Sequence, residues 1–318
     1  MNLTTFSPAH LPDLVLFLNR VLAGHRHWAP IGEADFRERV LEQPAFDRAG
    51  LILAWEGDRL VGGVHALKPP PASPIYEPYE PRHAIAWLAV DPACRGQGIG
   101  SALLGAAQDY LYYCPVYFAG HSTPLYGVIE KLWVPWYGST EHMAVSAVSD
   151  KTQVEWLTRR GYQVVDPGDV SMQASLHSPE RPQDPGLAQR GLQVVGISER
   201  SPWRGDEPFY RLRGWNNNGG KQYHGLVVAE GERAVGEVVW YPLPDQETAA
   251  LAWFGIEQSY RGLRFGSYLL DRARVEMAGR GYLYVEVHVH TRRHPEAFAM
   301  FRHRGFQAID YWVNLVKT

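Results

Sequence analysis

Apolar residues recur at helical spacing at Leu11, Leu14, Val15, Leu18 and Leu22. Ser7 and Pro8 stand just before them, so the pattern predicts a helix with Ser7 as N-cap and Pro8 at its first position. A short strand, NLTTF, precedes it, and the polar-faced EADFRERVLEQ from Glu33 predicts a second helix. GLILAWEG and DRLVGGVHAL then read as two strands of a hairpin, with Gly57 in the turn. A proline-rich loop, PPPASPIYEPYEP, separates them from the buried strand HAIAWLAV. A glycine-rich loop follows, then a helix expected over about Ser101–Tyr112, a strand at VYFAG, and a helix over about Lys151–Arg160. Two last strands are expected, at Tyr162–Val165 and Val170–Leu176.

This order occurs twice. With Ala84 placed on Ala250, nine of the 21 positions from Ala84 to Leu104 are identical, including Trp87, Arg95, Gly96, Gly100 and Ser101. Upstream, AWEGDRLVGGV matches VAEGERAVGEV; downstream, RRGYQVVD matches HRGFQAID. Three matched segments in one order point to a duplication. The offset falls from 166 to 144 between loop and last segment, so the first copy carries an insertion of about 22 residues. LHSPERPQDPGLAQRG, with three prolines and two glycines, reads as the connection. The expected domains are therefore residues 1–178 and 192–318, joined by a linker at 179–191. The second copy is shorter in front: WNNNGGKQ is turn-like, and one front helix is expected to be missing. Its last strand is expected at YWVNLVK.

A chain of 318 residues has room for two such domains, and 45% hydrophobic with 20% charged residues is ordinary for a globular protein. A net charge of −3 gives no strong field for nucleic acid or an anionic membrane, and neither is expected as a partner. Two cysteines, Cys94 and Cys114, make no disulfide framework. No signal peptide or long apolar span is evident, so a cytoplasmic location is expected.

The candidate chemistry lies in CRGQGIGSALL, where a strand runs through a glycine-rich turn into a helix. The first amides of a helix have no internal partner and point outward with the positive end of its dipole, which suits a phosphate. Glycines let the backbone approach the ligand closely, and Arg95 adds a cation. A dinucleotide fingerprint would need glycine at position 101, which is Ser101. No Gly-Lys-Ser/Thr follows, so it is not a nucleoside-triphosphate loop either.

Arg-x-x-Gly-x-Gly after a strand ending in LAV resembles the acetyl-CoA motif of the GCN5-related N-acetyltransferase superfamily. The resemblance extends through both halves, from hairpin to the late strand opened by GY or GF. It implies an α/β fold with a mixed sheet, as two tandem acyl-CoA N-acyltransferase domains. It implies acetyl-CoA as co-substrate, with Arg95, Gly96 and the amides of Gln97, Gly98, Ile99, Gly100 and Ser101 on the diphosphate. Leu88, Ala89 and Val90 would line the pantetheine arm, with the main chain of Leu88 and Val90 pairing to it. The second loop has Arg264 where the first has Gly98. Acetyl-CoA is therefore expected in the first domain, and the second is expected to be degenerate.

The expected reaction is attack of a neutral primary amine of a small-molecule acceptor on the thioester. An alkylammonium has a pKa around 10, so a base must take its proton. The candidates are His121, His83 and Glu141. The superfamily often places a tyrosine acid four residues before the GY/GF glycine; here Leu157 and Phe301 stand there and cannot donate. Tyr162 is the alternative donor. His27, Trp28, Tyr126, Trp133 and Trp136 are acceptor-side candidates, since rings suit a cationic amine. His288 and His290 share one face of a strand near His294, but this spacing matches no zinc pattern and no metal is expected. A monomer or homodimer is expected. A non-catalytic acyl-CoA sensor is the competing reading.

Overall fold

The computed structural model of the chain describes residues 1–23, 30–43, 46–68, 83–112, 116–118, 128–129, 132–133, 145–197, 223–243 and 245–317. They divide into two compact units, Met1–Gly168 with Asp310–Thr318, and Asp169–Ile309.

The first unit opens with β1 (Asn2–Thr5), a 3-10 turn over Pro8–His10, and α1 (Leu11–Val21). The turn is tied by the Ser7 amide donating to His10 Nδ1 at 3.1 Å. The expected second helix is short: α2 covers Glu33–Phe36, and a wider π turn carries on over Arg37–Leu41. β2 (Leu51–Glu56) and β3 (Arg59–Leu67) form the hairpin, and β3 pairs antiparallel with β4 (Ala84–Val90). α3 (Ile99–Tyr110) follows the glycine loop, then β5 (Val116–Phe118). β6 (Val128–Ile129) and β7 (Leu132–Trp133) form a small separate ladder. β8 (Val145–Ser146) and α4 (Lys151–Thr158) complete the run.

The expected strands at Tyr162–Val165 and Val170–Leu176 are one strand, β9 (Gln163–Ser175). Gly168 absorbs the bend with a φ of 90°, and its amide bonds Asp166 Oδ1 at 2.7 Å. The first unit's last strand is not β9. It is the end of β15 (Gln307–Lys317), antiparallel to β5, with Leu315 opposite Phe118. The sheet of the first unit therefore runs β1-β2-β3-β4-β5-β15. One of its faces packs on α3 and α4 through Ile85, Leu103, Leu157 and Leu315, and α1 buries Leu14, Phe17 and Leu18 on Leu51, Leu53 and Ala86.

The second unit contains β10 (Leu192–Gly196), β11 (His224–Glu230), β12 (Arg233–Pro242), β13 (Thr248–Ile256), α5 (Phe265–Gly279), β14 (Tyr284–His290) and α6 (Pro295–His303). Its sheet runs β9-β14-β13-β12-β11-β10. Here β9 supplies residues 169–175, with Val287 opposite Met172. The linear division at 178 and 192 thus follows the duplication, whereas each compact unit ends its sheet with the other copy's last strand. The expected loss of a front helix in this copy falls outside the described residues.

Candidate functional site

β4 and β5 pair in parallel only at Ala84 with Tyr117 and Ile85 with Phe118. Beyond that point, among the described residues, Ala86–Val90 has β3 on one edge and no strand on the other. β4 leads into the glycine loop. Asp91 starts a 3-10 turn over Pro92–Cys94 by accepting the Ala93 amide at 3.0 Å. Gly96 and Gly98 then take left-handed φ values of 78° and 85°, and Gly98 is the N-cap of α3. A Cβ at either would meet nothing within 4 Å, so the dihedral, not space, calls for glycine.

Charged groups fix this turn. Asp91 is buried and pairs with Arg59 at 2.7 Å and Arg20 at 3.2 Å. The Ala93 amide holds its carboxyl below the usual range; burial opposes this, and the Arg59 bond adds to it. Arg95 donates from Nε to the Val90 carbonyl at 3.1 Å, folding the loop back on its strand. Arg160, just past α4, reaches Ser101 Oγ at 2.9 Å and stacks on Trp156 at 3.9 Å. The mouth of α3 therefore has exposed amides with Arg95 and Arg160 around them, a site for a polyanion.

The Leu88 carbonyl already accepts Gln153 Nε2 from α4 at 3.0 Å. A pantetheine arm pairing with Leu88 would displace that amide. Arg160, Gln153 and the Arg59–Asp91 pair escaped sequence reasoning. Two of these left a signal in the repeat: Arg59 and Asp91 recur as Arg233 and Glu257, and Arg160 recurs as Arg304 in RRG and HRG, where Arg304 instead pairs with Glu180 at 2.9 Å and Asp271 at 3.2 Å.

Leu88, Ala89, Val90, Arg95, Gly96, Gln97, Gly98, Ile99, Gly100 and Ser101 are brought together as one strand, turn and helix start. His83 is half-buried immediately before β4. Tyr162 is not at the mouth. It is buried, and its hydroxyl accepts Gln108 Nε2 at 3.2 Å, about 10 Å along α3 from Ser101. Burial pushes its phenol above the usual range, with the Gln108 bond opposing. His27, Trp28, His121, Tyr126, Trp136 and Glu141 lie outside the described residues, as does the side chain of Trp133. Among the described residues, no cluster of His, Cys, Asp or Glu is arranged to hold a metal, and no helix is long and apolar enough to cross a membrane.

The second unit repeats the geometry. β13 and β14 pair in parallel from Thr248 with Tyr284 to Leu251 with Val287, then diverge. Gly262 and Arg264 take φ values of 78° and 65°. Arg261 Nε bonds the Ile256 carbonyl at 3.0 Å, and Glu257 pairs with Arg233 as Asp91 does with Arg59.

A mixed sheet with a glycine-type loop leading from a central strand into a helix, present twice, defines a tandem acyl-CoA transferase fold. The sequence profile of the Acetyltransferase (GNAT) family matches residues 21–112 and 194–306, more than half of the chain. The chain belongs to that family, which uses acetyl-CoA, and carries its domain in two copies. Over 92 residues it is 38% identical to a mycothiol acetyltransferase of Geodermatophilus obscurus, covering 29% of each chain. Over 110 residues it is 35% identical to the mycothiol acetyltransferase of Clavibacter michiganensis, covering 34% of this chain and 32% of that one. The alignments thus span about a third of these relatives' length. Among solved structures, a tandem GNAT protein from the clavulanic acid biosynthesis pathway superposes with a TM-score of 0.62 at 16% identity, over 99% of this chain and 97% of that one.

Proposed function

We propose that the chain is an acetyl-CoA-dependent N-acetyltransferase acting on a primary amine of a small-molecule acceptor by direct attack. The carrying observation is the run from β4 through the left-handed Gly96 and Gly98 to the amides that begin α3. The diphosphate lies against the amides of Gln97 to Ser101, with Arg95 and Arg160 as counter-charges. The pantetheine arm runs along Leu88, Ala89 and Val90, and the acetyl group reaches toward Ala86 in the middle of β4. The amine nitrogen bonds the thioester carbon, its proton goes to a base, and the thiolate of CoA leaves, a group with a pKa around 8.5 that leaves without prior protonation. The names of the relatives support acetyl transfer to a small molecule, and amino-sugar-like amines head the acceptor classes.

The test is release of free CoA thiol from acetyl-CoA with a panel of amino sugars, amino acids and polyamines. Amine-dependent release in a single class is expected. One observation favours a second reading, an acyl-CoA sensor: Leu157 and Phe301, buried at the positions where the family often has a tyrosine, cannot protonate a leaving group. Tight acetyl-CoA binding without amine-dependent release would establish that reading instead.

A further inference from the structure

The two copies put one arginine to different use. Arg160, just past α4, and Arg304, just past α6, stand at the same place in the repeat, immediately before the glycine of GY and GF. Ser101 near the start of α3 matches Ser267 near the start of α5. Four residues on, and therefore one turn farther along the same helix face, α3 has Gly105 and α5 has Asp271. In the second unit the arginine goes to that farther turn. Arg304 Nη2 lies 3.2 Å from Asp271 Oδ2, and Nη1 lies 2.9 Å from Glu180 Oε2. The Asp271 side chain is buried, so the carboxylate and the guanidinium that neutralises it are bound to stay together. In the first unit the farther turn offers no carboxylate. Arg160 goes to the mouth of the helix instead, where Nη2 donates to Ser101 Oγ at 2.9 Å.

Arg160 is held ready for a ligand. Its guanidinium stacks on the Trp156 ring at 3.9 Å, and Nη1 donates to the Trp156 carbonyl at 3.1 Å. These bonds use two of the five N–H groups of the side chain, and among the described residues the other three meet no acceptor. A fork fixed in this way has little rotamer freedom left to lose on binding. Trp156 itself lies against the loop, since a Cβ at Gly100 would come 3.5 Å from its ring. The second unit has Met300 at that position and no such platform.

The place of Arg160 decides which anion it meets. The Ala102 amide donates to the Gly98 carbonyl at 3.0 Å, so Ser101 carries the last amide of α3 without an acceptor inside the helix. The amides of Gln97 to Ser101 and Arg95 surround the diphosphate. Arg160 stands at the outer rim of that set, fixed to its last residue. CoA has one anion beyond its diphosphate, the ribose 3′-phosphate. As a phosphomonoester it carries about −1.5 to −2 near neutral pH, and a guanidinium takes two of its oxygens at once.

We propose that Arg160, held on Trp156, is the specificity-determining residue for the ribose 3′-phosphate of acetyl-CoA in the first unit. This rests on the acetyl-CoA reading above and adds how the nucleotide end is recognised. The first unit therefore distinguishes acetyl-CoA from its dephospho form. The residue one turn into the helix sets whether the arginine is free to do so. Glycine at 105 leaves it to the ligand, whereas a carboxylate there, as at 271, takes it.

The test uses the full chain and reads the first loop by itself. Hydrogen exchange in peptides within residues 89–104 is followed by mass spectrometry during titration with acetyl-CoA and with acetyl-dephospho-CoA, so occupation of the second unit does not enter. In the wild type, acetyl-CoA is expected to protect the loop at about tenfold lower concentration than acetyl-dephospho-CoA, the worth of a charge-assisted pair. R160Q is expected to bring that ratio below about twofold, chiefly by weakening acetyl-CoA. Acetyl-dephospho-CoA is expected to lose less than about threefold in R160Q, and its protection of the loop shows that the variant is folded. A Cβ at residue 105 meets nothing within 4 Å, so substitution there has room. G105D is expected to lose the ratio as R160Q does, because the new carboxylate claims the arginine, and G105N, which adds no charge, is expected to keep it. A wild-type ratio under about threefold, equal weakening of both ligands in R160Q, or a G105D protein that keeps the ratio overturns the proposal and leaves the acetyl-CoA site standing. No protection of the loop by either ligand overturns the acetyl-CoA reading, and the role of Arg160 with it.

Discussion

Arg264 occupies the same left-handed position as Gly98. Their φ values are 65° and 85°, each is the N-cap of its helix, and each carbonyl accepts the amide four residues on at 3.0 Å. The arginine has not reshaped the second loop; the loop holds the arginine in a conformation that side chains avoid.

That conformation costs a non-glycine residue about 1–2 kcal/mol, part of which glycine would return as entropy of the unfolded chain. R264G is therefore expected to raise the stability of the second unit by up to about 1 kcal/mol, read as a shift of its denaturation midpoint. The reciprocal G98A, with open space around its Cβ, is expected to lower the first unit's stability by about 1 kcal/mol through strain alone.

Two loops of one shape predict two acetyl-CoA sites. Calorimetry with acetyl-CoA is expected to give a stoichiometry of two for the full chain. In G98E a carboxylate faces the diphosphate of the first site, and the stoichiometry is expected to fall to one. A stoichiometry of one that G98E abolishes would mean that the second loop is degenerate.

Gln153 competes for the main chain that the pantetheine arm needs. Q153L removes the amide on the Leu88 carbonyl and leaves that acceptor for the ligand. A net hydrogen bond is worth about 1 kcal/mol, so acetyl-CoA is expected to bind the first site about fivefold more tightly in the variant. Calorimetry measures it; unchanged affinity would place the arm off the Leu88 edge.

Asp91 predicts an acid limb. Its carboxyl sits below the unfolded value because of the Ala93 amide first and, against burial, the Arg59 pair. A lowered folded pKa means stability that is present above about pH 4 and lost as pH falls through the folded value. D91N is expected to cost about 1 kcal/mol at neutral pH through the weakened cap. The gap between the two proteins is expected to narrow on acidification, as thermal melts across pH would record.

Most of the architecture was legible because its signals are local. The loop spacing, the helical stripe on α1 and the two-residue alternation of the strands are each written within a dozen residues, and the duplication repeats them in order. Boundaries shifted little: α3 starts at Ile99 rather than Ser101, and α4 ends at Thr158 rather than Arg160. Tertiary pairing was not legible. That Asp169 meets His288 depends on which strand edge β9 joins, across 119 residues of chain. That Gln153 meets Leu88 depends on how α4 lies on β4. The shared face of His288 and His290 was readable, but its meaning depended on a partner from the other copy. Separate strands were expected at 162–165 and 170–176, whereas one positive φ at Gly168 keeps them continuous.

Because residues 310–317 close the sheet of the first unit, the order of biosynthesis works against the order of the sequence. Domains ordinarily fold from the N-terminal end as they leave the ribosome. Here the earlier half keeps an open edge at β5 until residues 310–317 have emerged, so neither copy completes its own sheet alone. Selection would then have to retain or discard both copies together.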